Sequence, residues 1–139
     1  MNNELDKMMI MDHYKFPHNK VDSHLEGYLK LEGYNPSCGD KVNIYIKEEN
    51  GKLDIKWNGD GCSICCASTS IMTDELHDLT KDEACEKINN YKLLITGHDC
   101  DSSKFEEALA LSGLEQFPSR FKCGYLAWDT VDQFVSDKN

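Results

Sequence analysis

Two alternating segments joined by a tight turn most constrain the fold of this chain. Apolar side chains recur at every second position from Val42 to Ile46 and again from Leu53 to Trp57. Between them, Glu49-Asn50-Gly51 is typical of a hairpin turn, because asparagine and glycine tolerate the positive φ angles that such turns require. Tyr28 to Leu31 is a further extended segment. The sequence therefore predicts a three-stranded antiparallel sheet.

The rest of the chain has the signals of helices. Leu5 to Tyr14 predicts one helix before the strands. After them, Thr80-x-x-Glu83 is a capping box for a helix through about Ile95, and Ser103-x-x-Glu106 predicts another that ends near Gly113. Pro118 has the place of a first-turn proline before the last helix. Apolar stripes mark two helical segments: Ile64, Ala67, Ile71, Met72, Leu76 and Leu79, then Phe121, Tyr125, Trp128, Val131 and Val135.

Strands followed by helices favour an α+β domain with helices packed on one face of the sheet. The sequence has no repeat, low-complexity tract or linker, so we expect a single domain over residues 1–139. No apolar run is long enough to span a bilayer, and the acidic N-terminal segment lacks the order of a signal peptide. We therefore expect a cytoplasmic protein with no membrane partner.

The net charge of −10 argues against nucleic acid as a partner, because an acidic surface repels phosphate backbones. Seven cysteines in a cytoplasmic chain also need an explanation. A reducing compartment disfavours structural disulfides, so clustered thiols there indicate metal or sulfur chemistry. Isolated thiols are instead usually small buried side chains.

Four residues stand at predicted junctions between elements: Cys38, Asp40, Cys62 and Cys123. Cys62 enters a helix from a glycine-rich turn, where unpaired N–H groups and the helix dipole favour the thiolate. Three thiolates and one carboxylate suit tetrahedral zinc. The cysteines are widely spaced in the sequence, unlike those of a zinc finger. They could therefore also be ordinary buried side chains that bind no metal. Arg120 could orient Asp40 or an incoming anion, or be a solvated charge.

Several motifs together carry a resemblance to a known family. They are Asn35-Pro36-Ser37-Cys38-Gly39-Asp40, Gly59-Asp60-Gly61-Cys62-Ser63-Ile64 and Phe117-Pro118-Ser119-Arg120-Phe121-Lys122-Cys123, with Ile10-Met11-Asp12-His13-Tyr14-Lys15 and Ala67-Ser68-Thr69-Ser70-Ile71-Met72. In this order they resemble the IscU/NifU-like iron–sulfur cluster assembly family. Within it, the chain is most similar to the SufU branch of zinc-dependent sulfurtransferases.

The resemblance implies a three-stranded sheet with a helical layer and a metal site at one end. Cys38, Asp40, Cys62 and Cys123 would hold zinc. A pyridoxal-phosphate-dependent cysteine desulfurase, similar to SufS, would pass persulfide sulfur to Cys38, after one of its histidines replaces a zinc ligand. A downstream iron–sulfur scaffold would receive the sulfur. The protein would then serve the desulfurase rather than act as a stand-alone enzyme.

Departures from the family pattern favour the sulfurtransferase. The scaffold branch usually has histidine directly before its last cysteine, where this chain has Lys122. Gly124-Tyr125 replaces the alanine and small residue that usually follow the last cysteine. Cys65 and Cys66 stand where the family has small or polar residues. One helical turn past Cys62, either could reach a metal or trap a persulfide as a disulfide, but we expect both to pack inward.

Other functions remain open. The same four ligands could hold iron or a [2Fe–2S] cluster on a scaffold protein, or the domain could be a structural zinc module. A thioredoxin-like oxidoreductase based on Cys62-x-x-Cys65 would need a βαβ setting that this sequence does not predict. Cys85 is expected in the core and Cys100 in a solvated turn. Four histidines have no spacing partner that indicates a shared site: His13, His18, His24 and His77.

Overall fold

The computed structural model describes residues 4–136, which contain one sheet and four α-helices. Helix α1 (Glu4–Lys15) precedes strands β1 (Leu29–Asn35), β2 (Asp40–Glu49) and β3 (Lys52–Asp60). Helices α2 (Ser63–Leu76), α3 (Lys81–Ile95) and α4 (Phe121–Val135) follow, with 3₁₀ segments at Ser102–Lys104, Glu107–Gln116 and Pro118–Arg120. Within this part of the chain, no helix combines the length and apolar character that a membrane span requires.

The three strands form an antiparallel sheet in the order β1-β2-β3. Strands β1 and β2 stay paired up to Asn35 and Asp40, so only a short turn separates them there. At the other end of β2, Asn50 and Gly51 have φ angles of 55° and 79°. Two consecutive positive φ angles are typical of a type I′ hairpin turn. The sheet and hairpin predicted from the sequence are confirmed.

One face of the sheet is covered by helices. Helix α2 contacts β3, while α4 contacts β1 and β2. The side chains on the covered face are each at most 1% exposed: Val42, Ile44, Ile46, Leu53, Ile55 and Trp57. Removing this apolar surface from water is the main favourable contribution to folding.

The helical layer is held together around Ser68. The Tyr91 ring stacks on Trp128 at 3.7 Å between ring centroids. Trp128 Nε1 donates to Ser68 Oγ at 3.0 Å, and both Ser68 and Tyr91 donate to the Gly124 carbonyl at 2.6 and 2.7 Å. A Cβ at Gly124 would lie only 2.3 Å from Leu114 Cδ1. Any larger residue at this position would therefore require the Leu114 side chain to shift.

The predicted start of α3 is confirmed, whereas the last helix begins three residues after Pro118. The Thr80 side chain accepts the Glu83 N–H, and the Glu83 carboxylate accepts the Thr80 N–H, which completes the capping box of α3. Pro118 opens a 3₁₀ turn directly before α4. Because α4 itself begins at Phe121, Cys123 lies in its first turn.

The helix predicted from Ser103 is wrong, because the chain from there to Gln116 forms 3₁₀ segments. A buried carboxylate in α2 holds this region. Glu75 Oε2 accepts the N–H groups of Glu106 and Ala108, both at 2.9 Å, and its Oε1 lies 2.8 Å from Lys87 Nζ. These contacts join segments distant in the chain, so a local helix-start motif does not reveal them.

We expect Glu75→Ala to lower the free energy of unfolding by about 3 kcal/mol, because Lys87 and two backbone N–H groups would lose a buried partner. The Glu75 side chain is only 2% exposed. Urea denaturation followed by circular dichroism would measure the loss. Glu86→Ala, at an exposed position of α3, is the control. Equal losses in the two variants would contradict the structural role of the Glu75 carboxylate.

Candidate metal centre

Three segments of the chain meet at one end of the sheet. The turn between β1 and β2 carries Cys38, and Asp40 is the first residue of β2. Pairing of β2 with β3 brings the end of β3 to the same point, and Cys62 follows there as the N-cap of α2. Cys123 reaches this point from the first turn of α4, which packs on β1 and β2. The sheet register therefore explains why residues distant in sequence become neighbours.

Cys38, Asp40 and Cys123 form a compact group of candidate ligands. One ligand atom from each residue lies within 4.8 Å of the other two, and the Cys38 and Cys123 sulfurs are 3.6 Å apart. Asp40 is 0% exposed and Cys123 is 1% exposed, whereas Cys38 is exposed. Of these three residues, Cys38 is the one that an incoming molecule can reach.

Cys62 lies beside this group at the N-terminus of α2. Its sulfur accepts the Cys65 N–H at 3.4 Å and so caps the helix. Its own N–H donates to Asp40 Oδ1 at 2.9 Å. The group within 4.8 Å does not include Cys62, although a hydrogen bond with Cys62 contributes to the raised pKa of Cys123. The structure thus groups three of the four residues and places the fourth at their edge.

Asn35 belongs to the site, although the sequence analysis does not single it out. Its Nδ2 lies 3.4 Å from Asp40 Oδ2 and 4.0 Å from Cys123 Sγ, and its Oδ1 accepts the Ser37 N–H at 3.3 Å. The side chain is buried. A buried amide that donates to two candidate ligands orients both. The sequence offers one signal for Asn35, which is that it begins the motif containing Cys38. Taken alone, an asparagine before a proline indicates only a turn.

Burial and neighbouring groups set the protonation of the site. Burial raises the pKa of the Cys123 thiol, and hydrogen bonds with Asp40 and the other two cysteines raise it further. The pKa of Arg120 is raised chiefly by a hydrogen bond to the Cys123 sulfur, and negative charge at Cys62 adds to the effect. The exposed Arg120 guanidinium therefore lies at the sulfurs. Its role as an orienting group for Asp40 stays a prediction.

The other cysteines do not join this group. Cys65 and Cys66 are 0% and 8% exposed, and burial raises the pKa of both thiols. The prediction that they pack inward is confirmed. Cys85 is half-buried, with its sulfur 3.4 Å from Ser136 Oγ, so it lies at the edge of the core rather than within it. Cys100 is half-buried in the loop after α3.

Comparison with known proteins decides the family. Residues 5–137 match the NifU-like N terminal domain. The chain belongs to this family. The iron–sulfur cluster assembly scaffold protein IscU of Streptococcus pyogenes serotype M1 is 33% identical over 135 residues, which are 96% of this chain and 84% of that protein. The zinc-dependent sulfurtransferase SufU of Bacillus subtilis is 33% identical over 134 residues, or 95% and 90% of the two chains.

A solved structure of a NifU-like relative supports the same fold. A SufU protein of Fervidobacterium islandicum AW-1, described as a candidate scaffold for the SUF system, superposes with a TM-score of 0.80 at 32% identity. The match covers 90% of this chain and 92% of that one. The α+β fold and the family expected from the sequence are confirmed.

The donor set of this NifU-like domain fits a zinc ion. Three sulfur atoms and one carboxylate are acceptable zinc ligands in tetrahedral geometry, and the buried Asn35 amide supplies the outer contact that ligands commonly have. Gly61 leaves room for Asp40, because a Cβ there would lie 2.8 Å from Asp40 Oδ1. Zinc bound to Cys38, Asp40, Cys62 and Cys123 would keep the thiols deprotonated without adding redox chemistry.

In the metal-free protein, we expect iodoacetamide to alkylate Cys38 at least about tenfold faster than Cys65 or Cys123, because the latter two are buried and their pKa values are raised. Peptide mass spectrometry at short reaction times would give the order. Zinc added beforehand should slow the reaction at Cys38 and leave the half-buried Cys100 unchanged. A Cys38 rate that is the same with and without zinc would contradict its place among the ligands.

Proposed function

We propose that the protein is a zinc-dependent sulfurtransferase of iron–sulfur cluster assembly that accepts sulfur on Cys38. The observation that carries this proposal is the unequal exposure of clustered donors. Cys38 is exposed, yet its sulfur is 3.6 Å from the buried Cys123. The proposed zinc ligands are Cys38, Asp40, Cys62 and Cys123.

Sulfur transfer to Cys38 is a displacement at sulfur. The Cys38 thiolate attacks the outer sulfur of a cysteine persulfide on the donor enzyme, and a new S–S bond forms on Cys38. The original S–S bond breaks, and its electron pair leaves with the donor's cysteine as a thiolate, so no external oxidant or reductant is needed. The reaction has the same requirements as thiol–disulfide exchange, namely a thiolate and an open approach to it.

Arg120 supplies positive charge where this thiolate forms. Its guanidinium hydrogen-bonds to the Cys123 sulfur, and charge at Cys38 contributes to its raised pKa. A fixed cation beside a thiol favours the thiolate. Arg120 is therefore proposed as an orienting group for the cysteines and for the anionic persulfide that approaches them.

The proposed donor is a pyridoxal-phosphate-dependent cysteine desulfurase of the SufS type, and the proposed receiver is a downstream iron–sulfur scaffold. One relative is named as an iron–sulfur cluster assembly scaffold and another as a sulfurtransferase, and these two names support the pairing. We place the activity in the cytoplasm and treat residues 1–139 as one domain. Neither nucleic acid nor a membrane is proposed as a partner, given the acidic net charge.

A scaffold that assembles a [2Fe–2S] cluster is the second candidate, since the IscU and SufU relatives are equally identical to this chain. The metal in freshly isolated protein separates the two. Lys122 rather than histidine precedes Cys123, which favours the sulfurtransferase. We therefore expect tightly bound, colourless zinc. A brown, labile cluster in anaerobically purified protein would favour the scaffold.

We expect Cys38 to carry the added sulfur after the protein is mixed with its desulfurase and cysteine. Intact mass would show one additional sulfur atom, and peptide mapping would locate it. Cys38→Ser should remove the signal, because no other thiol of the group is comparably exposed. Cys100→Ser, in the loop after α3, is the matched control and should keep it.

Two results would overturn the role of Cys38. One is a persulfide on Cys62 or Cys123 and never on Cys38. The other is zinc bound by the parent protein with no sulfur on any cysteine, which is the result expected for a structural zinc module. Circular dichroism of Cys38→Ser and Cys100→Ser would establish that both variants remain folded.

A further inference from the structure

A second group of metal-ligating side chains lies outside the cysteine site. One ligand atom each from His13, His18, Asp74 and Glu107 lies within 4.8 Å of the others. No spacing in the sequence indicates that His13 and His18 share a site, but the fold brings them together. Asp74 lies in α2 twelve residues after Cys62, which corresponds to about 18 Å along a helix axis. The histidine group is therefore separate from the cysteines.

One serine contacts both histidines, at the ring of His13 and at the backbone of His18. His13 is buried, and its Nδ1 lies 2.7 Å from Ser70 Oγ. The same Ser70 oxygen accepts the backbone N–H of His18 at 2.8 Å. The two histidine rings are in contact, with centroids 4.4 Å apart. Because Ser70 occupies Nδ1 of His13, its Nε2 is the nitrogen that faces the carboxylates.

Each imidazole faces one carboxylate. His13 Nε2 is 3.1 Å from Glu107 Oε1, and His18 Nδ1 is 2.5 Å from Asp74 Oδ2. The other Asp74 oxygen accepts the Asn19 side-chain N–H at 3.1 Å. Ser70 and Asn19 are thus outer contacts that orient the His13 imidazole and the Asp74 carboxylate, as such contacts do in metal sites.

Charge and donor type favour a divalent cation. Metal-bound imidazoles are neutral, so this set of donors would contribute a charge of −2, which one divalent ion neutralises. Imidazole suits zinc and iron, while carboxylate suits harder cations, so a mixed nitrogen and oxygen set indicates a first-row divalent ion rather than the sulfur-seeking chemistry of the cysteine site. Without an ion, the same contacts would be hydrogen bonds, in which each imidazole nitrogen carries a proton and donates it to its carboxylate.

An ion can reach this group from solvent. The side chains of His18, Asp74 and Glu107 are 50%, 33% and 37% exposed. A cleft of about 380 Å³ beside α1 is lined by His13, His18 and Glu107, together with Leu5, Met8, Met9, Asp12 and Phe16. The site thus has both an anchored, buried ligand and an open side, as an entry path requires.

We propose that His13, His18, Asp74 and Glu107 form a second metal site, which binds zinc or iron(II) independently of the cysteines. The ligands come from α1, the loop after it, α2 and the 3₁₀ segment Glu107–Gln116. A bound ion would therefore connect four segments of the chain. This site goes beyond the proposed sulfur transfer, which does not use it.

The test is metal binding by the full chain at equilibrium, with zinc in one series and iron(II) under anaerobic conditions in another. For the zinc series we expect about two ions per chain in the parent protein and about one in His18→Gln, because the variant loses one ligand of four. His77→Gln is the control, since His77 is exposed and pairs with Asp78 instead, and it should match the parent. His18 is half exposed, so its substitution should leave the fold intact.

A complementary variant separates this site from the cysteines. The double variant Cys38→Ser/Cys62→Ser, which keeps one of the three site thiols, should lose the cysteine-bound ion and keep the one at the histidines. In this double variant, cobalt(II) should bind without strong sulfur-to-metal charge-transfer absorption, and His18→Gln added to it should abolish binding. The proposal would be overturned if the parent protein and His18→Gln bound equal amounts of zinc and also equal amounts of iron(II). The four side chains would then be a hydrogen-bonded cluster without a metal. Failure of sulfur transfer to Cys38 would not affect this result.

Discussion

The hydrogen bond from the Cys62 N–H to the Asp40 carboxylate joins the sheet to the helical layer where the cysteines meet. Asp40 is fully buried, and a buried charged carboxylate is costly unless hydrogen bonds and nearby positive charge compensate it. The N-terminus of α2 provides both, through an unpaired N–H and the positive end of the helix dipole. The carboxylate in turn fixes the N-cap that carries the Cys62 sulfur. The start of α2 and the geometry of the site therefore depend on each other.

Burial gives the four donors different chemical roles. Asp40 and Cys123 are sealed from solvent and Cys62 is half-buried, whereas Cys38 lies on an exposed turn. A sulfur acceptor needs one thiolate that a large partner can approach, because displacement at sulfur requires access to the attacking atom. A stable metal site needs the opposite. One exposed donor among more enclosed ones would satisfy both requirements, and Cys38 has that position in the short turn between β1 and β2.

Short sequence motifs predicted the structural features that depend only on residues close together in the chain. Asn50-Gly51 gave the hairpin, and Thr80 with Glu83 gave the start of α3, because each motif satisfies its own backbone groups. Of the three thiols that the cysteine motifs indicated, the structure groups Cys38 with Cys123 and places Cys62 at their edge. The contacts of Glu75 with Lys87 and the 3₁₀ segment, and those of Asn35 with Asp40 and Cys123, were not predictable. Their partners are set by tertiary packing. The same holds for the histidine group, whose members come from four separate segments.

Helix α2 connects the two proposed metal sites. The sequence predicts one apolar stripe for it, but the helix is buried on most sides, including Ser68, Thr69, Ser70 and Thr73. Buried hydroxyl groups need partners, and these find them within the helix, in neighbouring helices and at the histidines. Such satisfied contacts make α2 a rigid element. An ion held by Asp74 would therefore stabilise the helix that presents Cys62 without contacting any thiol.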